Sequence, residues 1–80
     1  MSDSMQILRD ARARGAVSLS REVRGRVSLQ DAEAVVRRGF SRTFKRESGD
    51  LAVAFEAVSS GGRMAVYLDL EGTVLDVERR

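Results

Sequence analysis

The sequence predicts an α+β domain: one or two short helices packed on one face of a curved, mainly antiparallel sheet of about five strands that ends in a meander. Three observations carry that prediction. The chain has 80 residues, which is room for a single small domain spanning residues 1–80. Its hydrophobic periodicity changes at Ser28–Leu29 from alternation to helical spacing. Beyond Gly39, turn-forming clusters recur at 47–50, 59–62 and 71–72, each flanked by short segments rich in strand formers.

From Asp3 to Arg14 the residues are good helix formers, Met5, Leu8 and Ala11 repeat at three, and Gly15 is placed to end the turn. A strand is the rival reading there, because Met5 and Ile7 alternate. Val17, Leu19, Val23, Val27 and Leu29 then share one parity while Ser and charged residues fill the other, the pattern of a half-buried strand. Gly25 falls on the apolar parity, where a glycine marks a bulge or a close approach by another backbone. Ser28 with Asp31 reads as an N-cap followed by an acid in the first turn. A helix from Leu29 to Arg38 follows, with Leu29, Ala32, Val35, Val36 and Phe40 as its apolar stripe. Arg37 and Arg38 complement its macrodipole, and Gly39 sits where a left-handed C′ residue is usual.

Four meander strands fit the remaining spacing, over Phe40 to Glu47, Leu51 to Val58, Arg63 to Leu70 and Thr73 to Glu78. Leu51, Val53, Phe55, Met64, Val66, Leu68 and Leu70 are the expected buried face, against which the helix lays its stripe. The first strand poses a conflict, because Phe40, Arg42, Phe44 and Arg46 share a parity. Either the arginines snorkel at a sheet edge, or Phe44 between Arg42 and Arg46 belongs to a binding surface rather than to the core.

Composition narrows the function. A hydrophobic fraction of 42%, a charged fraction of 32% and a net charge of +2 are ordinary for a soluble globular protein. With no cysteine and no histidine, disulfides, thiolate or imidazole metal sites, cysteine nucleophiles and the usual general base are all missing. No cofactor or metal is expected. Apolar runs such as Leu51 to Phe55 are far short of the roughly 20 residues a membrane helix needs. The N-terminus does not read as a secretory signal, so a cytoplasmic location is the default. One core in a chain this short rarely supplies more than about 3–5 kcal/mol, which leaves a monomer or a homodimer as the expected states.

Chemistry is sparse. Ser59-Ser60-Gly61-Gly62-Arg63 lacks the spacing of a phosphate-binding loop and joins two strands. Asp69, Glu71, Asp76 and Glu78 lie near one another in sequence, but Asp69 and Glu71 flank a tight turn and no calcium-loop spacing occurs. Lys45, the sole lysine, belongs to no recognisable nucleophile motif. The chain is therefore read as non-enzymatic, with binding as its function. Residues 1–49 carry eleven basic side chains against six acids, and residues 50–80 three against six. Arg24, Arg26, Arg37, Arg38, Arg42, Lys45 and Arg46 form a basic contact surface if folding gathers them at the C-terminal end of the second helix. Only 5% of residues are aromatic and no RRM, KH, helix-turn-helix or zinc motif occurs, so nucleic acid is a secondary partner in this reading.

The segment Arg26-Val27-Ser28-Leu29-Gln30-Asp31-Ala32, continuing through Phe40-Ser41-Arg42-Thr43 to Arg46-Glu47-Ser48-Gly49-Asp50-Leu51-Ala52, resembles the small phage-borne inhibitors of type I CRISPR systems, the anti-CRISPR proteins. The order of elements is similar, and the likeness covers roughly residues 24 to 63. It implies a protein of the host-cell cytoplasm without catalytic residues, docked on subunits of the crRNA-guided surveillance complex (Cascade). There it would block target DNA binding or nuclease recruitment. Arg42, Lys45 and Arg46, with Arg24, Arg37 and Arg38, become its contact candidates. The alternative is a small basic nucleic-acid-associated accessory protein of a phage or mobile element.

Overall fold

A computed structural model describes residues 4–80, the side chain of Ser59 excepted. Helix α1 spans Ser4–Arg14, so the helical reading holds over the described part of that segment, while Asp3 lies outside the described residues. Strand β1 is Ser18–Leu19, helix α2 is Leu29–Arg38, and β2 to β5 are Phe40–Lys45, Leu51–Ser59, Gly62–Asp69 and Thr73–Arg79. The sheet order is β1-β5-β4-β3-β2. The β2–β3–β4–β5 meander is antiparallel, and β1 joins β5 in parallel. This is the expected α+β architecture, with two short helices and five strands.

The strand expected over 17–29 is the main correction. Pairing stops after Ser18↔Thr73 and Leu19↔Val74, and Arg21–Val23 forms a 3-10 turn. Leu19, Val23 and Val27 recur at four, a spacing that alternation and a folded-back turn satisfy equally, and Val23 and Val27 are both buried. Gly25 neither bulges a strand nor admits a neighbour. It has φ +88 in the following turn, with nothing within 4 Å of where a Cβ would sit.

Helix α2 begins as expected: the Ser28 Oγ accepts from the Asp31 N–H at 3.0 Å. Its end differs. Gly39 has φ −80 and ψ 161, an extended conformation and not a left-handed one. A Cβ there would meet the Val35 carbonyl oxygen at 2.6 Å and that of Glu56 at 2.8 Å. Glycine is needed because α2 turns directly into β2 against the backbone of β3. Phe40, counted both on the helical stripe and at the start of the first meander strand, opens β2 as the strand reading has it and is 88% exposed.

The core lies between the helices and one sheet face. Ala11 of α1, Ala32, Val35 and Val36 of α2, and Val23 and Val27 of the intervening turn pack on Val53, Phe55, Ala57, Val66, Leu68, Val74 and Val77. A bulge in β5 at Leu75, between the Tyr67↔Asp76 and Leu68↔Val74 pairs, lets both Val74 and Val77 face inward. Of the predicted buried face, Val53, Phe55, Val66 and Leu68 are fully buried and Met64 packs at the margin. Leu51 and Leu70, at the strand ends, are each 39% exposed.

Arg12 ties this layer together. Its guanidinium donates to the carbonyls of Arg37 (3.1 Å) and Gly39 (2.7 Å) and to Ser41 Oγ (3.4 Å), and lies 5.5 Å from the Phe55 ring centroid. A cation is thereby held on the C-terminal carbonyls of α2, where the helix dipole favours it. Glu33 completes the contact, accepting from the Ala16 N–H at 2.5 Å and from Arg37 Nε at 2.9 Å.

A candidate protein-interaction surface on the helix-free sheet face

Strand alternation that sends Val53, Phe55, Val66 and Leu68 toward the helices sends Ala52, Ala54, Glu56, Ala65, Tyr67 and Asp69 to the other face. Register extends that face into the flanking strands as rows: Phe40, Glu56, Ala65 and Glu78, then Arg42, Ala54, Tyr67 and Asp76, then Phe44, Ala52 and Asp69. In β2 the small polar residues Ser41 and Thr43 take the helix side, opposite Phe55 and Val53. The parity conflict is thus resolved by turning both phenylalanines and both arginines away from the core.

This face has an alanine floor and a roof of large side chains. Ala52, Ala54 and Ala65 are buried although no helix residue joins them. The Phe44 and Tyr67 rings meet edge to face at 5.4 Å between centroids. Arg80 reaches Glu56 at 3.5 Å and Glu78 at 3.1 Å, the acids on either side of Ala65 in their row. A groove of about 290 Å³ runs beside the ring pair, lined by Phe44, Arg46, Tyr67, Leu75, Asp76 and Glu78. Phe40 stands at one end at 88% exposure, with Val58 of the same face at 69%.

The Tyr67 hydroxyl donates to Glu78 Oε1 at 2.8 Å. That hydrogen bond, with burial and the carboxylate charge behind it, raises the tyrosine pKa. The same bond, followed by that from Arg80, lowers the pKa of Glu78, and Glu78 in turn raises that of Arg80. All three shifts favour the tyrosine as the donor and the carboxylate and guanidinium in their charged forms, so the hydrogen bond and the ion pairs hold together across neutral pH.

The seven basic residues named from the sequence are not gathered in one patch. Arg42 and Arg46 share the helix-free face on either side of Phe44. Lys45 has the opposite parity, level with Leu51. Arg37 pairs with Glu33 at the end of α2, and Arg38 lies beside Asp31 and Met64 on the helix side. Arg26 is across the sheet at β5, paired with Asp76 at 3.3 Å and donating to the Val77 carbonyl at 2.7 Å. Arg24 is exposed in the turn before α2. Tyr67, absent from the sequence-derived set, was legible in principle, since its parity is opposite to that of Val66 and Leu68. No helix of the described residues is long and apolar enough to cross a membrane. Among the described residues no cluster of acids is placed to hold a metal ion. No family model, curated protein or solved structure matches the chain.

Proposed function

We propose that this chain is a non-enzymatic binding module that docks on a protein partner through its helix-free sheet face. One observation carries the reading: the chain has four aromatic residues, and three of them, Phe40, Phe44 and Tyr67, lie on that face, while only Phe55 is spent on the core. A marginal domain that commits one ring to its core and leaves another 88% exposed is presenting contact area. Aromatic and arginine side chains are the residues that dominate protein interfaces. Glu56, Asp69, Asp76 and Glu78 share the face with Arg42, Arg46 and Arg80, so its mixed charge suits a protein surface better than a phosphate backbone.

The sequence resemblance supplies the first partner to test, the type I crRNA-guided surveillance complex, on which the module would act as a steric inhibitor. Preassembled complexes of several subtypes are incubated with the protein or its Phe40→Ser variant, and target-duplex binding and nuclease recruitment are then followed by gel shift. Inhibition of one subtype by the native chain, lost in Phe40→Ser, is the expected result. If every complex binds DNA and recruits its nuclease unhindered, that partner is excluded. If the native chain shifts duplex DNA by itself with a steep salt dependence, the nucleic-acid accessory reading replaces it.

A further inference from the structure

Among the described residues of the helix-free face, every acid has a hydrogen-bond or ion-pair partner and two cations have neither, although the charge of Arg42 is felt by Tyr67 and Glu78. Glu56 and Glu78 share Arg80, Glu78 also accepts from Tyr67, and Asp76 pairs with Arg26. Asp69 accepts from the backbone N–H groups of Glu71 and Thr73, both at 2.9 Å. Arg42 and Arg46 make no ion pair or hydrogen bond through their side chains with any described residue, and both are exposed. They flank Phe44 at alternate positions, and β2 is the last strand of the sheet. Among the described residues, no backbone group of Phe40–Lys45 is hydrogen-bonded outside the ladder to β3, and the carbonyl of Gly39 just before the strand is taken by Arg12.

Resting on the docking reading above, we infer that β2 accepts an extended, acidic segment of the partner protein as a sixth strand, with carboxylates beside Arg42 and Arg46 and apolar side chains beside Phe40 and Phe44. Strand addition satisfies the outward N–H and C=O groups of β2, which nucleic acid does not. It also sets the partner's pattern. Arg42 and Arg46 lie about 13 Å apart along an extended chain, so the carboxylates fall at i and i+4 of the added strand with an apolar residue between them at i+2. A second copy of β2 is disfavoured in that seat, because edge-to-edge pairing brings Arg42 and Arg46 of both chains onto one face of the seam.

The probe is an acetylated, amidated nine-residue peptide alternating threonine with valine, glutamate, valine and glutamate, titrated into the whole ¹⁵N-labelled chain. Chemical-shift changes and slowed amide exchange confined to residues 40–46 and their β3 neighbours are expected. The same peptide with glutamine for glutamate binds about tenfold more weakly, and the Arg42→Glu/Arg46→Glu variant loses the glutamate peptide but binds its lysine counterpart. Equal binding of the glutamine peptide, tighter binding of an oligothymidylate at the same residues, shifts centred elsewhere, or no binding overturns the inference. The docking reading is judged separately by Phe40→Ser in the gel-shift assay: loss of inhibition there together with a silent peptide titration removes the acidic strand and leaves the docking face standing.

Discussion

Gly39→Ala tests the junction at which α2 turns into β2 against the backbone of β3. The backbone at Gly39 is extended, φ −80 and ψ 161, so alanine fits the torsion angles and by reducing unfolded-state freedom would stabilise by about 0.4–1 kcal/mol. Its Cβ, however, would meet two backbone oxygens, those of Val35 at 2.6 Å and Glu56 at 2.8 Å. Both are held by secondary structure, one at the C-terminal end of α2 and one in β3, and neither can rotate aside. Relief requires α2 to lift from the sheet by some tenths of an ångström, an overpacking penalty of about 1–3 kcal/mol or more. Set against the entropic gain, the net expectation is a destabilisation of about 1–2 kcal/mol. A chain of this length has about 4–12 kcal/mol in all, and a loss of that size lowers Tm by about 4–16 °C. Gly25 is the control, with φ +88 and open space where a Cβ would lie, so Gly25→Ala costs about 1 kcal/mol and Gly25→Asn less, because asparagine tolerates the left-handed region. At Gly39 asparagine brings no such relief and matches or exceeds the alanine loss. Urea and thermal unfolding of the four variants decide it. A neutral Gly39→Ala, or a Gly39→Asn variant more stable than Gly39→Ala, refutes the steric argument.

Arg12→Lys should destabilise nearly as much as Arg12→Ala, by about 1–2 kcal/mol in urea, because a single ammonium cannot serve the Arg37 and Gly39 carbonyls together as the planar fork does. In Tyr67→Phe the Glu78 carboxyl loses the first cause of its lowered pKa and titrates closer to 4.5, a change read by NMR. Because the folded-state value is the lower one, Glu78 contributes stability above its unfolded pKa and loses it as pH falls through the folded value, so the variant's acid dependence weakens in that window. Tyr67 has the opposite sign: its raised pKa stabilises the fold below about 10 and the contribution vanishes as pH rises through the folded value, so Glu78→Gln brings the phenol absorbance transition to lower pH. Phe40→Ser should leave urea stability within about 0.5 kcal/mol of the native chain, since the ring is 88% exposed, while abolishing partner binding.

What was legible in the sequence is what depends on local pattern. The Ser28 cap, the α2 stripe from Ala32 to Val36 and the turn clusters place four strands to within two residues of their observed ends. Which parity of β2 faces inward is not local. It is decided by Ser41 lying opposite Phe55 and Thr43 opposite Val53, a register that no count of residues within β2 reveals. The Gly39 motif misled for a similar reason, since the demand for glycine comes from Glu56, seventeen positions away. Arg12 left no signal at all, its carbonyl partners being fixed only once α1 packs beside the α2–β2 junction. Of the predicted contact residues, Arg42 and Arg46 share the face of Phe44, as their alternation with it implies, whereas proximity in sequence grouped them with Arg26, Arg37 and Arg38, which folding separates.

The allocation of side chains in β2 ties fold to function. A strand that served only the core would place its large apolar residues opposite Phe55 and Val53, yet β2 gives those positions to Ser41 and Thr43. A sequence with the phenylalanines at positions 41 and 43 and the serine and threonine at 40 and 44 would bury two rings against the helices, each worth up to about 1.5–3 kcal/mol, and keep Arg42 outside, whereas flipping the strand as it stands would bury Arg42 unpaired. The present arrangement forgoes that gain in a domain with little stability to spare. It also places Arg42 beside the Tyr67–Glu78 pair, where its charge opposes the raising of the tyrosine pKa and adds to the lowering of the carboxyl pKa. Packing alone gives no reason for either choice. A surface that must hold an aromatic and arginine ladder toward a partner gives a reason for both, and the rigid Tyr67–Glu78–Arg80–Glu56 network behind the ladder lowers the ordering entropy that such an interface would otherwise have to offset on binding.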